Sequence, residues 1–376
     1  MLFKDIPGLD DIKQTLVQAV RRGQIHHAQL FFGSEGSGNL AMAWAYATYV
    51  NCENRQPTDA CGECPSCSKT GKLAHPDLHQ IFPVAATKKV AKDPLSENFL
   101  PDWRVFLKDN PYANLTGWLD FIGTENRQPQ ISAEESRRII QRLSLKPYEA
   151  EYKVLLLWLP ETLNTTSANA LLKILEEPPA RTLFLLVSQA PDRVLPTILS
   201  RTQLVRIRSF TDHEIAQMLV SRKNAEPARA AQIAYLAEGN LNEALRLNAE
   251  VKTDQHESFG NWMRLCFQLE KKLPDLVRTT DKLAAMPREA QKNLLHYGIN
   301  MVREALLCTF QEPGLVRLEG EEMAFVQNFS KVMTEQKAGR LFAYFNDAVF
   351  HLERNANPRI VFLDTSLQIA GAIREA

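Results

Sequence analysis

Four cysteines stand close together near one end of this chain: Cys52, then Cys61, Cys64 and Cys67, a C-x8-C-x2-C-x2-C spacing. Two-residue gaps let neighbouring thiolates fold back onto one ion, and Gly62 and Pro65 supply the tight turns. Four thiolates close a tetrahedral shell, so Zn²⁺ held there would be structural. An iron–sulfur cluster uses the same donor set, and reduced free thiols are the plain alternative. His75 and His79 are candidate substitute ligands that a four-cysteine site does not need. Cys266 and Cys308 lie in apolar helical context and read as buried thiols.

A second stretch, Gly33-Ser34-Glu35-Gly36-Ser37-Gly38-Asn39-Leu40, has the glycine spacing of a phosphate-binding loop, G-x-x-x-x-G-K-[S/T]. In that pattern backbone amides cradle the phosphates, the lysine reaches the β and γ phosphates and the hydroxyl ligates Mg²⁺. Gly33 and Gly38 keep the separation, but Asn39 replaces the lysine and Leu40 the hydroxyl residue. The loop keeps its frame without its chemistry, and no bound ATP is expected. A third set, Arg137, Arg138 and Arg142 with Lys146 beyond, lines one side of a helical segment. It reads either as a solvated face or as candidate contacts to DNA phosphates.

The elements that must hold these groups follow from apolar spacing. Leu9, Ile12, Leu16, Val17 and Val20 give an amphipathic helix ending near Gly23. Ala28 to Phe32 reads as a buried strand, the glycine loop follows, and Leu40 to Ala45 opens a helix, which is the order a phosphate loop requires. Further strands are expected at Leu78–Phe82, Lys153–Trp158, Thr182–Ser188 and Gln203–Ile207. A helix is expected through Ser167–Glu177, stopped by Pro178-Pro179. Strands alternating with helices predict a doubly wound α/β sheet. An active ATPase of this kind carries acidic residues at the end of its central strand. Here the sequence reads Trp158-Leu159-Pro160-Glu161, so that half of the chemistry is missing too. A polar insert spans about 84–130; its aromatic part, with Trp103, Phe106, Tyr112, Trp118 and Phe121, predicts a small packed appendage after a mobile loop.

Composition limits the alternatives. Lysine plus arginine total 44 and so do aspartate plus glutamate, so no global charge draws the chain to nucleic acid. No signal-peptide pattern opens the sequence and no run long enough to span a bilayer occurs, which predicts a soluble cytoplasmic protein with no membrane partner.

His27-Ala28-x-Leu30-Phe31-Phe32-Gly33, the cysteine set after the loop helix, Ala168-Asn169-Ala170-Leu171-Leu172-Lys173-Ile174-Leu175-Glu176-Glu177-Pro178-Pro179, and Leu195-Pro196-Thr197-Ile198-Leu199-Ser200-Arg201-Thr202 together resemble the clamp-loader AAA+ family. The motifs cover about residues 1–210; beyond them the match is helical character and the ending Asn357-Pro358-Arg359-Ile360-Val361-Phe362-Leu363-Asp364. The resemblance implies an AAA+ α/β domain at 1–208, with a zinc module at 52–67 and a variable insert at 84–130. A helical lid at 209–250 and an all-α collar at 251–376 would follow. Apolar sets around Phe259, Leu295 and Leu341 suit the helix bundle of such a collar. The family's Ser-Arg-Cys motif reads Ser200-Arg201-Thr202 here. The resemblance implies that Arg201 acts as an arginine finger in the ATP site of a neighbouring subunit, the threonine departing from the pattern. Where ATP-binding relatives place a sensor arginine this chain has Asn242, a third missing nucleotide contact. The implied partners are ATPase subunits and a delta subunit in a hetero-oligomeric ring, a sliding clamp, and primed DNA reached through the complex. An active ATPase with an unusual loop and a zinc-dependent nucleic-acid-binding module are the alternatives.

Overall fold

The computed structural model describes residues 1–124, 128–249, 255–309, 318, 320–354 and 356–374. The chain forms two compact units, Met1–Ala249 and Glu250–Ala376. Residues 250–254, where the sequence places the end of the lid and the start of the collar, lie outside the described residues.

The first unit begins with α1 (Asp10–Arg21), β1 (Ala28–Phe32), α2 (Asn39–Val50), α3 (Pro65–Gly71) and β2 (Leu78–Ile81). It continues through α4 (Leu100–Asp109), α5 (Leu115–Ile122), α6 (Ala133–Ser144), β3 (Lys153–Trp158), α7 (Thr165–Glu176) and β4 (Thr182–Ser188). The turn α8 (Pro196–Leu199), β5 (Gln203–Arg206), α9 (Asp212–Lys223), α10 (Pro227–Ala237) and α11 (Leu241–Ala249) complete it.

The strands form one parallel sheet in the order β2-β3-β4-β1-β5, with Leu30 opposite Leu186 and Leu157 opposite Leu186 on its other side. Both faces of the sheet are covered, which is why β3 and β4 are apolar without alternation. Val154, Leu156, Leu183, Leu185 and Val187 join the core around α2, whereas Leu155, Leu157, Phe184 and Leu186 join the core around α6 and α7. Helix α2 is buried on every side, from Asn39 to Val50. The last strand departs from the buried pattern: β5 is an edge strand with Gln203, Leu204 and Arg206 exposed.

The expectation of a small appendage between about 84 and 130 is corrected. Its described residues include α4 and α5, and their aromatic side chains belong to the main core. Trp103 stacks on Phe82 with ring centroids 4.2 Å apart and meets Trp158 at 5.1 Å and Trp118 at 5.0 Å. The indole of Trp118 donates to the Pro83 carbonyl at 2.9 Å. Aromatic density predicted packing but could not show that the surface packed against was the sheet.

The second unit is helical: α12 (Gln255–Phe267), α13 (Leu269–Ala284), α14 (Arg288–Thr309), α15 (Gly320–Ser330), α16 (Glu335–Glu353) and α17 (Pro358–Arg374). Its core gathers the stripes of Phe259, Trp262, Met263 and Cys266, of Leu295 and Val302, and of Leu341, Phe345 and Val349. The Trp262 indole donates to Ser366 Oγ at 2.8 Å, which satisfies the polar group of a fully buried ring. Pro274 removes a helical donor and a kink at Lys272 precedes it.

Candidate functional site

The glycine loop leaves the C-terminal end of β1, which lies between β4 and β5, and runs into α2. Gly38 ends the loop with φ +82°, a conformation open to glycine and strained for other residues. Asn39, only 4% exposed, does not project toward the loop's mouth: its Nδ2 donates to the Ser188 carbonyl at the end of β4 at 2.9 Å. Its Oδ1 accepts from the Leu40 amide, and the Leu40 side chain is buried in the core. The Ser37 hydroxyl is fully buried with no hydrogen-bond partner.

The loop is covered from above. Leu241 N, at the start of α11, donates to the Gly36 carbonyl at 3.1 Å. A methyl group on Gly36 would lie 1.8 Å from Asn240 Oδ1. Ser34 and Ser209 share a hydroxyl hydrogen bond of 2.8 Å. Asn242 accepts from Asn110 Nδ2 at 2.6 Å. At the end of β3, Glu161 Oε1 accepts from the amides of Gln189 and Ala190 at 3.0 and 3.2 Å, and burial holds its carboxyl above the usual range. Glu161 thus caps the chain after β4 through Oε1, while its Oε2 is buried without a hydrogen-bond partner.

The four cysteines come together around α3. Their sulfurs all lie within 4.8 Å of one another, and among the described residues they form the only cluster of this kind. Cys64 caps α3 and accepts from Cys67 N at 3.4 Å; Cys61 N donates to Cys52 Sγ at 3.3 Å, and the amides of Cys64 and Glu63 donate to Cys61 Sγ at 3.3 and 3.5 Å. These last two amides pull the Cys61 thiol down to about 7, whereas burial pushes Cys52 and Cys67 up. Such a set, ringed by backbone donors, could hold a metal ion. The histidines stand apart from it: His75 Nδ1 accepts from Asp77 N at 3.0 Å, and burial followed by the charge of Arg142 lowers His79 to about 4. The module is tied to the chain's start, where Asp59 accepts from Phe3 N and Lys4 N, and to α2, where the Trp44 indole donates to the Thr70 carbonyl.

Arg201 follows α8 on the route to β5 and is 31% exposed in its side chain. Its Nε and Nη2 donate to Glu176 Oε2 at 3.3 and 3.1 Å, and its Nη1 to the Thr197 carbonyl at 3.0 Å and Ser200 Oγ at 3.4 Å. Ser200 and Thr202 each donate a hydroxyl to a carbonyl of the preceding turn, Thr197 and Leu199. On α6 every arginine has a carboxylate: Arg137 pairs with Glu134, Arg138 with Glu134 and Glu97, and Arg142 with Glu97. The structure thus brings the loop residues together and the cysteines together, and keeps Arg201 and the α6 arginines away from both.

Sequence reading missed the residues that close the loop: Tyr112, Asn114, Ser209, Phe210 and Asn240. Asn240 was findable as the cap of α11, since its Oδ1 accepts from Glu243 N at 3.1 Å. Nothing local shows that it rests on Gly36.

Sheet, loop and covering helices define a parallel α/β protein with a phosphate-loop frame. The family model described as "DNA polymerase III, delta subunit" matches residues 8–211, more than half of the chain. The chain belongs to that family and is a clamp-loader-family protein. Among curated relatives it is similar to "DNA polymerase III subunit tau" of Escherichia coli (strain K12), 28% identical over 69% of this chain and 33% of that protein. It is also similar to "DNA polymerase III subunit delta'" of Yersinia pestis, 28% identical over 75% and 69%, and of Pseudomonas aeruginosa, 31% identical over 48% and 42%. The chain thus spans about a third of the tau protein that it matches.

Proposed function

We propose that this chain is a non-hydrolysing subunit of the clamp loader of a replicative DNA polymerase, comparable to the relatives named delta'. One observation carries the reading: at the lysine and hydroxyl positions of the loop stand Asn39, bonded to the Ser188 carbonyl, and Leu40, buried in the core. Asn39 carries no charge to neutralise a γ-phosphate, and Leu40 no oxygen to ligate Mg²⁺. ATP chemistry then belongs to a neighbouring subunit of a hetero-oligomeric ring, and Arg201 serves it in trans, exchanging Glu176 for a phosphate as its anionic partner. Such a guanidinium stabilises charge developing in phosphoryl transfer, worth about 10³ to 10⁵ in rate in other systems. Ser200 and Thr202 hold the turn that presents it.

In this reading 1–208 is the AAA+ domain, 209–250 its lid and 251–376 the collar, and the protein works in the cytoplasm with the ATPase and delta subunits, the sliding clamp and primed DNA. Arg137, Arg138 and Arg142 meet DNA only if phosphates displace Glu97 and Glu134. The cysteine site holds one structural Zn²⁺. A tetrahedron with bonds of about 2.3 Å has edges of about 3.8 Å. The Cys52–Cys61 and Cys61–Cys67 sulfur separations are 3.6 and 3.9 Å, close to such an edge, and all four sulfurs lie within 4.8 Å of one another, which supports that ion. The test is equilibrium ATP binding by the isolated chain with Mg²⁺ present: no binding at millimolar ATP is expected, and binding with turnover would make the chain an ATPase with an unusual loop.

A further inference from the structure

The turn between α4 and α5 lies over the glycine loop and reaches three separate bodies with three side chains at alternating positions. Asn110 Nδ2 donates to Asn242 Oδ1 in the lid at 2.6 Å. Tyr112, 7% exposed, sets its ring edge-on to Phe210 with centroids 6.0 Å apart. The same ring has an atom 3.5 Å from where a methyl on Gly38 would sit, and its hydroxyl donates to the Asp5 carbonyl at 3.4 Å. Arg222 of α9 donates to that same carbonyl, so insert and lid meet on one backbone oxygen. Asn114 Nδ2 donates to Glu35 Oε1 within the loop at 2.8 Å.

The turn is stiff. Asn110 Oδ1 accepts from Tyr112 N at 3.1 Å and Asn114 caps α5 through Gly117 N at 2.9 Å. The flanking helices are anchored by Trp103 and Trp118 in the main core. A nucleotide on a loop of this frame needs its amides free and the lid able to move aside. Here two buried aromatic rings cover the last glycine, Phe210 with an atom 3.0 Å and Tyr112, packed edge-on against it, with an atom 3.5 Å from where a methyl would sit, and lid, loop and chain start are hydrogen-bonded to one five-residue turn.

We propose that Asn110–Asn114 is a built-in plug: it occupies the mouth of the phosphate loop and clasps the lid shut over it, so that the site stays closed independently of what stands at positions 39 and 40. This deepens the reading of the loop as a site that binds no nucleotide, and gives the insert its role.

The test restores the missing chemistry with and without the plug in the full chain. Asn39→Lys/Leu40→Thr is expected to leave ATP binding undetectable at millimolar ATP, and adding Asn110→Ala/Tyr112→Ala is expected to produce binding at least tenfold tighter. Equal binding by the two proteins, or none by the folded fourfold variant, overturns the plug. Should a lysine at position 39 prevent folding, hydrogen exchange on Asn110→Ala/Tyr112→Ala alone decides. The Leu241 amide should then exchange at least tenfold faster while β3 and β4 keep their protection, and an unchanged Leu241 overturns the proposal. ATP binding by the unaltered chain would sink the reading of Asn39 and Leu40 itself, a different result from any of these.

Discussion

Replacing Gly36 by alanine strikes the contact on which closure of the loop depends, and its cost can be built from parts. Gly36 has φ +72°, where a β-carbon costs about 1–2 kcal/mol. The new methyl would fall 1.8 Å from Asn240 Oδ1 and 3.0 Å from Asn240 Cα, so the amide must swing away and the turn must give. That movement removes the cap on α11, about 1 kcal/mol, and weakens the Leu241 to Gly36 hydrogen bond, about another 1 kcal/mol. The expected total is about 3–4 kcal/mol, concentrated in α9 to α11. Asn240→Gly alone should cost only a few tenths of a kcal/mol, because glycine caps helices nearly as well. In that background Gly36→Ala should cost mainly its backbone strain, leaving a coupling of about 1–2 kcal/mol between the sites. Opening free energies of the α9, α10 and α11 amides, measured by hydrogen exchange for the four proteins of the cycle, test this. A cost below about 0.5 kcal/mol, or the same cost with and without the Asn240 side chain, would refute the packing of the α11 start on the loop.

Two further predictions concern other parts of the first unit. Metal analysis of the purified chain should find one zinc, and strong chelation or Cys64→Ser should lower the thermal midpoint, since a structural ion contributes its binding energy to folding; an unchanged midpoint would remove the ion's structural role. His79 titrates at about 4 in the folded chain against an ordinary 6.5, so the unfolded chain binds more protons between those values. Stability should therefore be full above pH 6.5 and fall as pH drops toward 4, by on the order of 1 kcal/mol at pH 5 for this partly buried ring; His79→Gln should flatten that slope in urea titrations at pH 5 and pH 7.

The sheet was legible in the sequence because its strands are buried on both faces: Lys153 to Trp158 and Thr182 to Ser188 are nearly unbroken apolar runs bounded by turns. The cysteine cluster was legible from its two-residue gaps, and the altered loop from Asn39 and Leu40. What stayed hidden depends on contacts between distant segments. Tyr112 reads as one aromatic among several in a polar insert, and only the fold sets it beside Phe210 and Gly38. Glu176 reads as the end of a helix, and only the parallel crossover through α8 brings Arg201 back onto it at 3.1 Å. Strand β5 was legible as a strand, but its place at the sheet edge, with Gln203, Leu204 and Arg206 exposed, depends on pairing with β1 that no local pattern shows.

The central claim is that the chain binds no ATP and acts on a neighbour's. Steady-state ATP turnover by a loader assembled from ATPase and delta subunits, with clamp and primed DNA, tests it most directly when this chain is supplied either unaltered or as Arg201→Ala. With assembly matched by size, the unaltered chain should stimulate turnover and Arg201→Ala should lose most of that stimulation. Equal stimulation by the two would contradict the claim.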